Sequence, residues 1–170
     1  VAINGRACSA IAFGSACLLA SALSVAQVQD VALKAAFIYN FALFTTWPTV
    51  LPAAATFNVC ASRTSPMWES LLKLNGKPVE GRPWTLSDPI EESTGHCSIV
   101  VLSGPDSPPA VEPASGTLVI DDGTADAAAA AAITLVKEAQ HIRFDIDTGK
   151  AASRGLGFSS KLLRLARNVT

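Results

Sequence analysis

Two short runs, Ser98–Leu102 and Thr117–Ile120, each open on a hydroxyl residue and are apolar thereafter, with no polar alternation. Strands of that kind are buried on both faces, which happens in parallel sheets covered by helices. Phe57 to Ala61 reads as a further strand, and Trp84 to Ser87 as an edge strand. Near the end, Ile133 to Lys137 and Ile142 to Asp147 form a predicted hairpin around Ala139-Gln140. Its second arm alternates, with Ile142, Phe144 and Ile146 inward and Arg143 and Asp145 outward. Strands interleaved with helices predict an α/β layered sandwich: a mixed, mostly parallel sheet flanked by helices, ending in a hairpin and a C-terminal helix.

The helices are marked by spacing and caps. Asp30 is a candidate cap for a helix from Val31 to about Thr46, stopping before Pro48. Leu33, Phe37, Phe41 and Phe44 share one side, while Ala35, Ile38 and Ala42 make the other side apolar as well. Such a helix is expected to be covered almost all round. Pro66 opens a second helix through Leu74, ended by Asn75-Gly76, and residues 76–83 carry turn chemistry. Residues 104–116 hold Pro105, Pro108, Pro109 and Pro113 and read as an exposed loop. Asp121-Asp122-Gly123 should turn the chain into an Ala-rich helix over Ala125 to about Ala132. The last helix begins at Ser159 or Ser160 with Leu162, Leu165, Ala166 and Val169 as its apolar stripe.

The opening of the chain has a different character. Arg6 is the only charge before Asp30, Ala10 to Val25 is apolar, and Ser24-Val25-Ala26 places small residues at a cleavage site before Gln27. This is the pattern of a cleavable secretory signal peptide over residues 1–26, followed by a single domain over 27–170. A retained anchor is the alternative, but the apolar run is shorter than the roughly 20 residues that a spanning helix needs. Cleavage would discard Cys8 and Cys17 and leave Cys60 and Cys97 in an oxidising compartment, where a pair is normally bridged. Their loop of about 38 residues makes a bridge worth ~4 kcal/mol on the chain-entropy model. Two separately buried thiols remain the alternative. A zinc site lacks support, since His96 is the only histidine near either cysteine in sequence and no CxxC or HxxxH spacing occurs.

A net charge of −1, a pI of about 6.1 and an aromatic content of 6% build neither the basic field nor the stacking platform of a nucleic-acid binder. The catalytic inventory is thin, with only His96 and His141 as histidines. A triad around His141 and Asp145 finds no Gly-x-Ser-x-Gly nucleophile elbow. Asp121-Asp122 are candidates for a cation or for paired carboxylates, but before a glycine they read as a turn. Gly155, Gly157, Ser159, Ser160 and Lys161 lead into a helix N-terminus, where free amides and a cation suit an anion. They match neither a Walker loop nor a dinucleotide fingerprint. Lys161, Arg164 and Arg167 recur every third residue as a basic stripe. The residues therefore describe a non-enzymatic exported module that binds something and carries no metal or other cofactor.

Val31-Ala32-Leu33-Lys34-Ala35-Ala36-Phe37-Ile38-Tyr39-Asn40-Phe41, with Phe44 and Trp47-Pro48, resembles the opening signature of the YfiR-like periplasmic regulators. Phe57-Asn58-Val59-Cys60, Gly76-Lys77-Pro78-Val79, Gly81-Arg82-Pro83 and Cys97 follow in the family's order. The closing block is Ile142-Arg143-Phe144-Asp145-Ile146, Gly155-Leu156, and Ser159-Ser160-Lys161-Leu162-Leu163-Arg164-Leu165-Ala166. The resemblance implies a non-catalytic protein of the Gram-negative periplasm. Such a protein would bind the periplasmic sensor domain of an inner-membrane diguanylate cyclase and hold it inactive, lowering cyclic-di-GMP and restraining biofilm formation. It also implies redox tuning through Cys60 and Cys97, which match the more N-terminal cysteine pair of the family. Arg143, Phe144, Ile146, Lys161 and Arg164, in the best-matching block, are the expected partner surface. A homodimer is left open, and a small-ligand module using the turn at Gly155–Lys161 for an anion, nucleotide or amino acid is the second reading.

Overall fold

In a computed structural model the described residues are 17–48, 56–89, 96–104, 114–123 and 128–170, with side chains described from residue 29 onward. Helix α1 (Cys17–Phe44) leads into strand β1 (Thr45–Thr46). Next come β2 (Phe57–Ala61), α2 (Trp68–Leu72), β3 (Pro78–Val79), β4 (Arg82–Ser87), β5 (Ile99–Leu102) and β6 (Leu118–Asp121). A 3-10 turn at Ala128–Ala130 precedes β7 (Ile133–Glu138), β8 (His141–Ile146), α3 (Thr148–Ser153), β9 (Gly157–Phe158), α4 (Ser160–Leu165) and β10 (Asn168–Val169). The main sheet has eight strands in the order β10-β8-β7-β6-β5-β2-β4-β3. Strands β4, β2, β5, β6 and β7 run parallel, and the β3–β4 and β7–β8 pairs are antiparallel. The mixed, mostly parallel α/β sheet is thus the expected one.

Register decides what each face does. Ala61, Val101, Ile120, Ile133 and Ile146 stand side by side across five strands. They belong to one large core with Phe57, Val59, Ile99, Leu118, Leu135 and Phe144. Helix α1 lies on this face, where Phe37 and Phe41 meet the Phe144 ring at 5.9 and 4.9 Å between centroids. The next register row, Leu102, Asp121, Thr134, Asp145 and Asn168, belongs to the opposite face. A smaller cluster of Leu102, Val119 and Ala131 is buried on that side.

Several expectations are corrected. Helix α1 passes through Asp30, which is therefore not its cap; residues 17–29 contain no glycine or proline that would stop a helix. Asp30 instead pairs with Lys137 of β7. The helix ends two residues earlier than expected, because Thr45–Thr46 pair with Gly157–Phe158 of β9. Its last carbonyls are met by the Thr45 hydroxyl, 2.7 Å from the Phe41 oxygen, and by Trp47 Nε1, 3.1 Å from the Ala42 oxygen. Nor is it covered all round: Leu33 and Leu43 are 47% and 45% exposed.

Strand β4 is not the edge, since the β3 hairpin arm lies outside it; Glu80 and Gly81, with φ of 48° and 76°, make the tight turn between them. The described part of the Ala-rich segment is a single 3-10 turn rather than an α-helix. Helix α4 is shorter than expected: Ala166 is extended, and Asn168–Val169 join β8 as a parallel edge strand. Leu165 is consequently 60% exposed, and only Leu162 of the expected stripe is fully buried. Most of the signal-peptide segment, Cys8, Pro105, Pro108, Pro109, Pro113 and residues 124–127 lie outside the described residues.

Candidate partner surface

Cys60 and Cys97 are bonded, with Cα atoms 5.9 Å apart. Cys60 is the penultimate residue of β2, where its backbone faces Ser87 on one neighbour and Val100 on the other. The bridge therefore ties the start of β5 to a strand that the sheet already holds beside it. Cys60 is fully buried, with Ser87 Oγ 3.6 Å from its sulfur and Ser87 Oγ donating to Asn58 Oδ1 at 2.9 Å.

The five residues expected at a partner surface do not form one patch. Phe144 and Ile146 are 4% and 2% exposed, inside the core beneath α1. Arg143 alternates with them and is exposed on the sheet face that α1 does not cover. Lys161 and Arg164 are exposed on α4, on the α1 side. The Lys161 ammonium sits over the Phe44 ring of α1 at 5.1 Å, a contact in which the ring face attracts the cation. Lys161, Arg164 and Leu165 are at i, i+3 and i+4 and so share one face of that helix.

The turn at Gly155–Lys161 is built for local structure. Gly155, at φ +75°, ends α3, and its amide donates to the Ala152 oxygen at 2.9 Å. Gly157 pairs with Thr46, and the Ser159 amide donates to the Phe44 oxygen at 2.9 Å. Ser159 caps α4 by accepting from the Leu162 amide at 3.3 Å, while Ser160 is the first helical residue. Gly155, Gly157 and Ser159 are engaged within the turn, and the Lys161 ammonium lies over Phe44.

Two neighbouring features were missed in the sequence. Helix α3 is capped by Asp147, whose carboxylate accepts from the Lys150 amide at 2.9 Å. That amide bond, more than the burial opposing it, holds the Asp147 carboxyl below its ordinary value. Arg167 reaches from the approach to β10 to Asp145 of β8 and Glu138 of β7. Its side-chain hydrogen bonds lower the Asp145 carboxyl, and donating to the Asp145 and Glu138 carboxylates raises the guanidinium further. The Asp147 cap was readable, as an acidic residue three positions before Lys150. The Arg167 pairing joins residues 22 positions apart and has no local signal.

Between these groups lies an open cleft of ≈450 Å³, lined by Thr134, Asp145, Asp147, Lys150 and Asn168 among others. Its acids already hold partners: Asp145 with Arg167, and Asp147 with the Lys150 ammonium at 3.2 Å. At the carboxyl ends of the parallel strands, where ligands of open α/β sheets bind, the buried acids are likewise engaged. Asp88 accepts from the Arg63 amide at 2.7 Å, Asp122 from the Ser103 hydroxyl at 2.8 Å, and Asp121 from the Gly123 amide at 2.9 Å. His141 is exposed at the tip of the hairpin. Among the described residues no group of three or more His, Cys, Asp or Glu side chains converges as a metal site. None of the described helices is long and apolar enough to cross a membrane.

A family model described as YfiR/HmsC-like matches residues 31–167. The match takes in both blocks on which the resemblance rests, the helix opening at Val31 and the closing run to Ala166. No curated protein matches the chain.

Proposed function

Because the chain belongs to the YfiR/HmsC-like family, we propose that it is an exported repressor that holds a membrane-bound diguanylate cyclase inactive by binding the cyclase's periplasmic sensor domain. Membership supports regulation of cyclic-di-GMP signalling in general and a regulatory rather than catalytic protein. The observation that carries the finer reading is the extent of the family match, which runs from the described start of the packed domain almost to β10. The reading includes export to the periplasm with cleavage after Ala26. The Cys60–Cys97 bond is then the point at which redox state acts on folding and so on repression.

Lys161 and Arg164 are the retained partner residues, because they share the α1 side with exposed apolar groups. Arg143 faces away from them, and Phe144 and Ile146 act through the packing of the hairpin under α1.

Affinity capture from solubilised membranes, with the oxidised protein as bait, tests this reading. Recovery of a membrane protein with a cytoplasmic cyclase domain is the expected result. Capture that recovers no such protein with either oxidised or reduced bait overturns it.

A further inference from the structure

The side of α1 that the domain leaves open has a pattern of its own. The buried side is Ala35, Ile38, Phe41 and Ala42. The open side is Gln29, Leu33, Ala36, Asn40 and Leu43, all exposed. Their spacings alternate four and three, which is the a/d seam of a coiled coil, sustained for about 21 Å along the helix. Solvated helix faces do not need leucines at those positions. Ala36 leaves room for a close approach, and the Asn40 amide donates to the Ala36 oxygen of its own helix at 2.9 Å.

Charge decides what fits this seam. On one flank Lys161 lies over Phe44, with Arg164 and Leu165 on the same face of α4. On the other flank Tyr39 donates to the Pro78 oxygen at 2.9 Å and carries the Lys77 ammonium over its ring at 5.4 Å. α4 holds no acidic residue, and the one acidic residue of α1 is Asp30, whose carboxylate is already paired with Lys137 of β7. The surface is therefore a seam of Leu33, Ala36 and Leu43, interrupted by Gln29 and Asn40, between two cationic borders. A second copy of the chain would bring like charges together along both borders, which disfavours self-pairing.

We propose that the open side of α1 is the docking surface for an amphipathic helix of the partner, one with an apolar seam bordered by acidic side chains. This rests on the partner-binding reading above and names the surface and chemistry of that contact.

The test uses the purified protein and two synthetic helical peptides with leucine at heptad positions a and d. One carries glutamate at e and g, and the other carries lysine there. Fluorescence anisotropy should show the glutamate peptide binding at least tenfold more tightly than the lysine peptide. The double variant Leu33→Glu/Leu43→Glu should lose that binding, and Lys161→Glu/Arg164→Glu should bring the two peptides to within about threefold of each other, since Lys77 still borders the other flank. All four residues are exposed, and an unchanged melting temperature confirms that the variants fold.

Equal binding of both peptides, no binding of either, or no effect of the seam variant overturns the proposal. So does a wild-type dimer in sedimentation that the seam variant converts to monomer, since the occupant is then a second copy. Membrane capture separates the two readings. A cyclase recovered equally by wild type and by the seam variant sinks the α1 surface and leaves the repressor reading standing. Recovery of no cyclase by wild type sinks the repressor reading, whatever the peptides do.

Discussion

Arg167 Nε donates to Asp145 Oδ1 at 2.9 Å, and the second guanidinium nitrogen meets the other oxygen of the same carboxylate. This two-pronged pair joins the chain just before β10 to the last residues of β8, where Asp145 precedes Ile146. Arg167 Nη1 also donates to Glu138 on β7, so one side chain spans three strands at the end of the sheet.

The pair makes stability depend on pH. The Asp145 and Asp147 carboxyls titrate below their ordinary value in the folded protein. Their contribution is complete above the unfolded carboxylate pKa of about 3.9 and is lost as pH falls through the depressed folded values. Urea midpoints measured from about pH 6 to pH 2 should therefore drop on the acid side. Arg167→Gln should lower the midpoint at neutral pH and flatten the acid drop, because Asp145 then loses the largest cause of its lowered titration. The effect is modest, as both groups are partly solvated. An unchanged acid limb in the variant removes the pair from this role.

Reduction of Cys60–Cys97 should lower the melting temperature. The chain-entropy model assigns ~4 kcal/mol to a loop of this length. Cys60→Ala should reproduce the loss and abolish the response to reductant. Scanning calorimetry with and without reductant measures both; a melting temperature that moves with neither treatment removes the bridge as a stabilising element.

Gly123 leaves no room for a side chain. Its φ is +85°, and a Cβ there would lie 2.2 Å from the Leu135 carbonyl oxygen. Gly123→Ala should therefore destabilise by about 1–3 kcal/mol from backbone strain, with the clash added. Gly81→Ala provides the comparison: its φ is +76°, but no atom lies within 4 Å of the added Cβ. Equal midpoints for the two variants would show that the close approach to β7 carries no weight.

Phe41 is fully buried, and its ring meets Phe144 edge to face. Phe41→Ala should cost about 3–5 kcal/mol, as large-to-small changes at packed aromatics do. The chemical denaturation midpoint reads this directly. A loss below about 1 kcal/mol would mean that α1 is not held on the sheet through this contact.

Charge reversal on the two faces should separate them. Arg143→Glu is expected to leave both the melting temperature and partner capture unchanged, since Arg143 lies on the sheet face away from α1. Lys161→Glu/Arg164→Glu is expected to leave the melting temperature unchanged and to reduce capture at least tenfold. Loss of capture with Arg143→Glu alone would move the interface to the outer sheet face.

Local chemistry determined much of this protein. Ile99–Leu102 and Leu118–Ile120 had to be buried strands, because unbroken apolar runs leave no face for water. Ala139-Gln140 had to turn, and the alternation from Ile142 to Ile146 chose which side of β8 faces the core. The expectation of export, with cleavage leaving Cys60 and Cys97 as the pair, pointed to the bridge. Tertiary structure decided the rest, through contacts between residues far apart in sequence. Helix α4 stops at Leu165 because the next residues gain more as an edge strand on β8 than as another turn, and no residue between 160 and 169 encodes that competition. Spacing made every side of α1 look equally apolar. Only its placement across the register row from Ala61 to Ile146 buried Phe41 and left Leu33 and Leu43 open. Arg143 and Lys161 stand close in one sequence block yet lie on opposite sides of the sheet, because alternation in a strand and the packing of a helix are set by different neighbours.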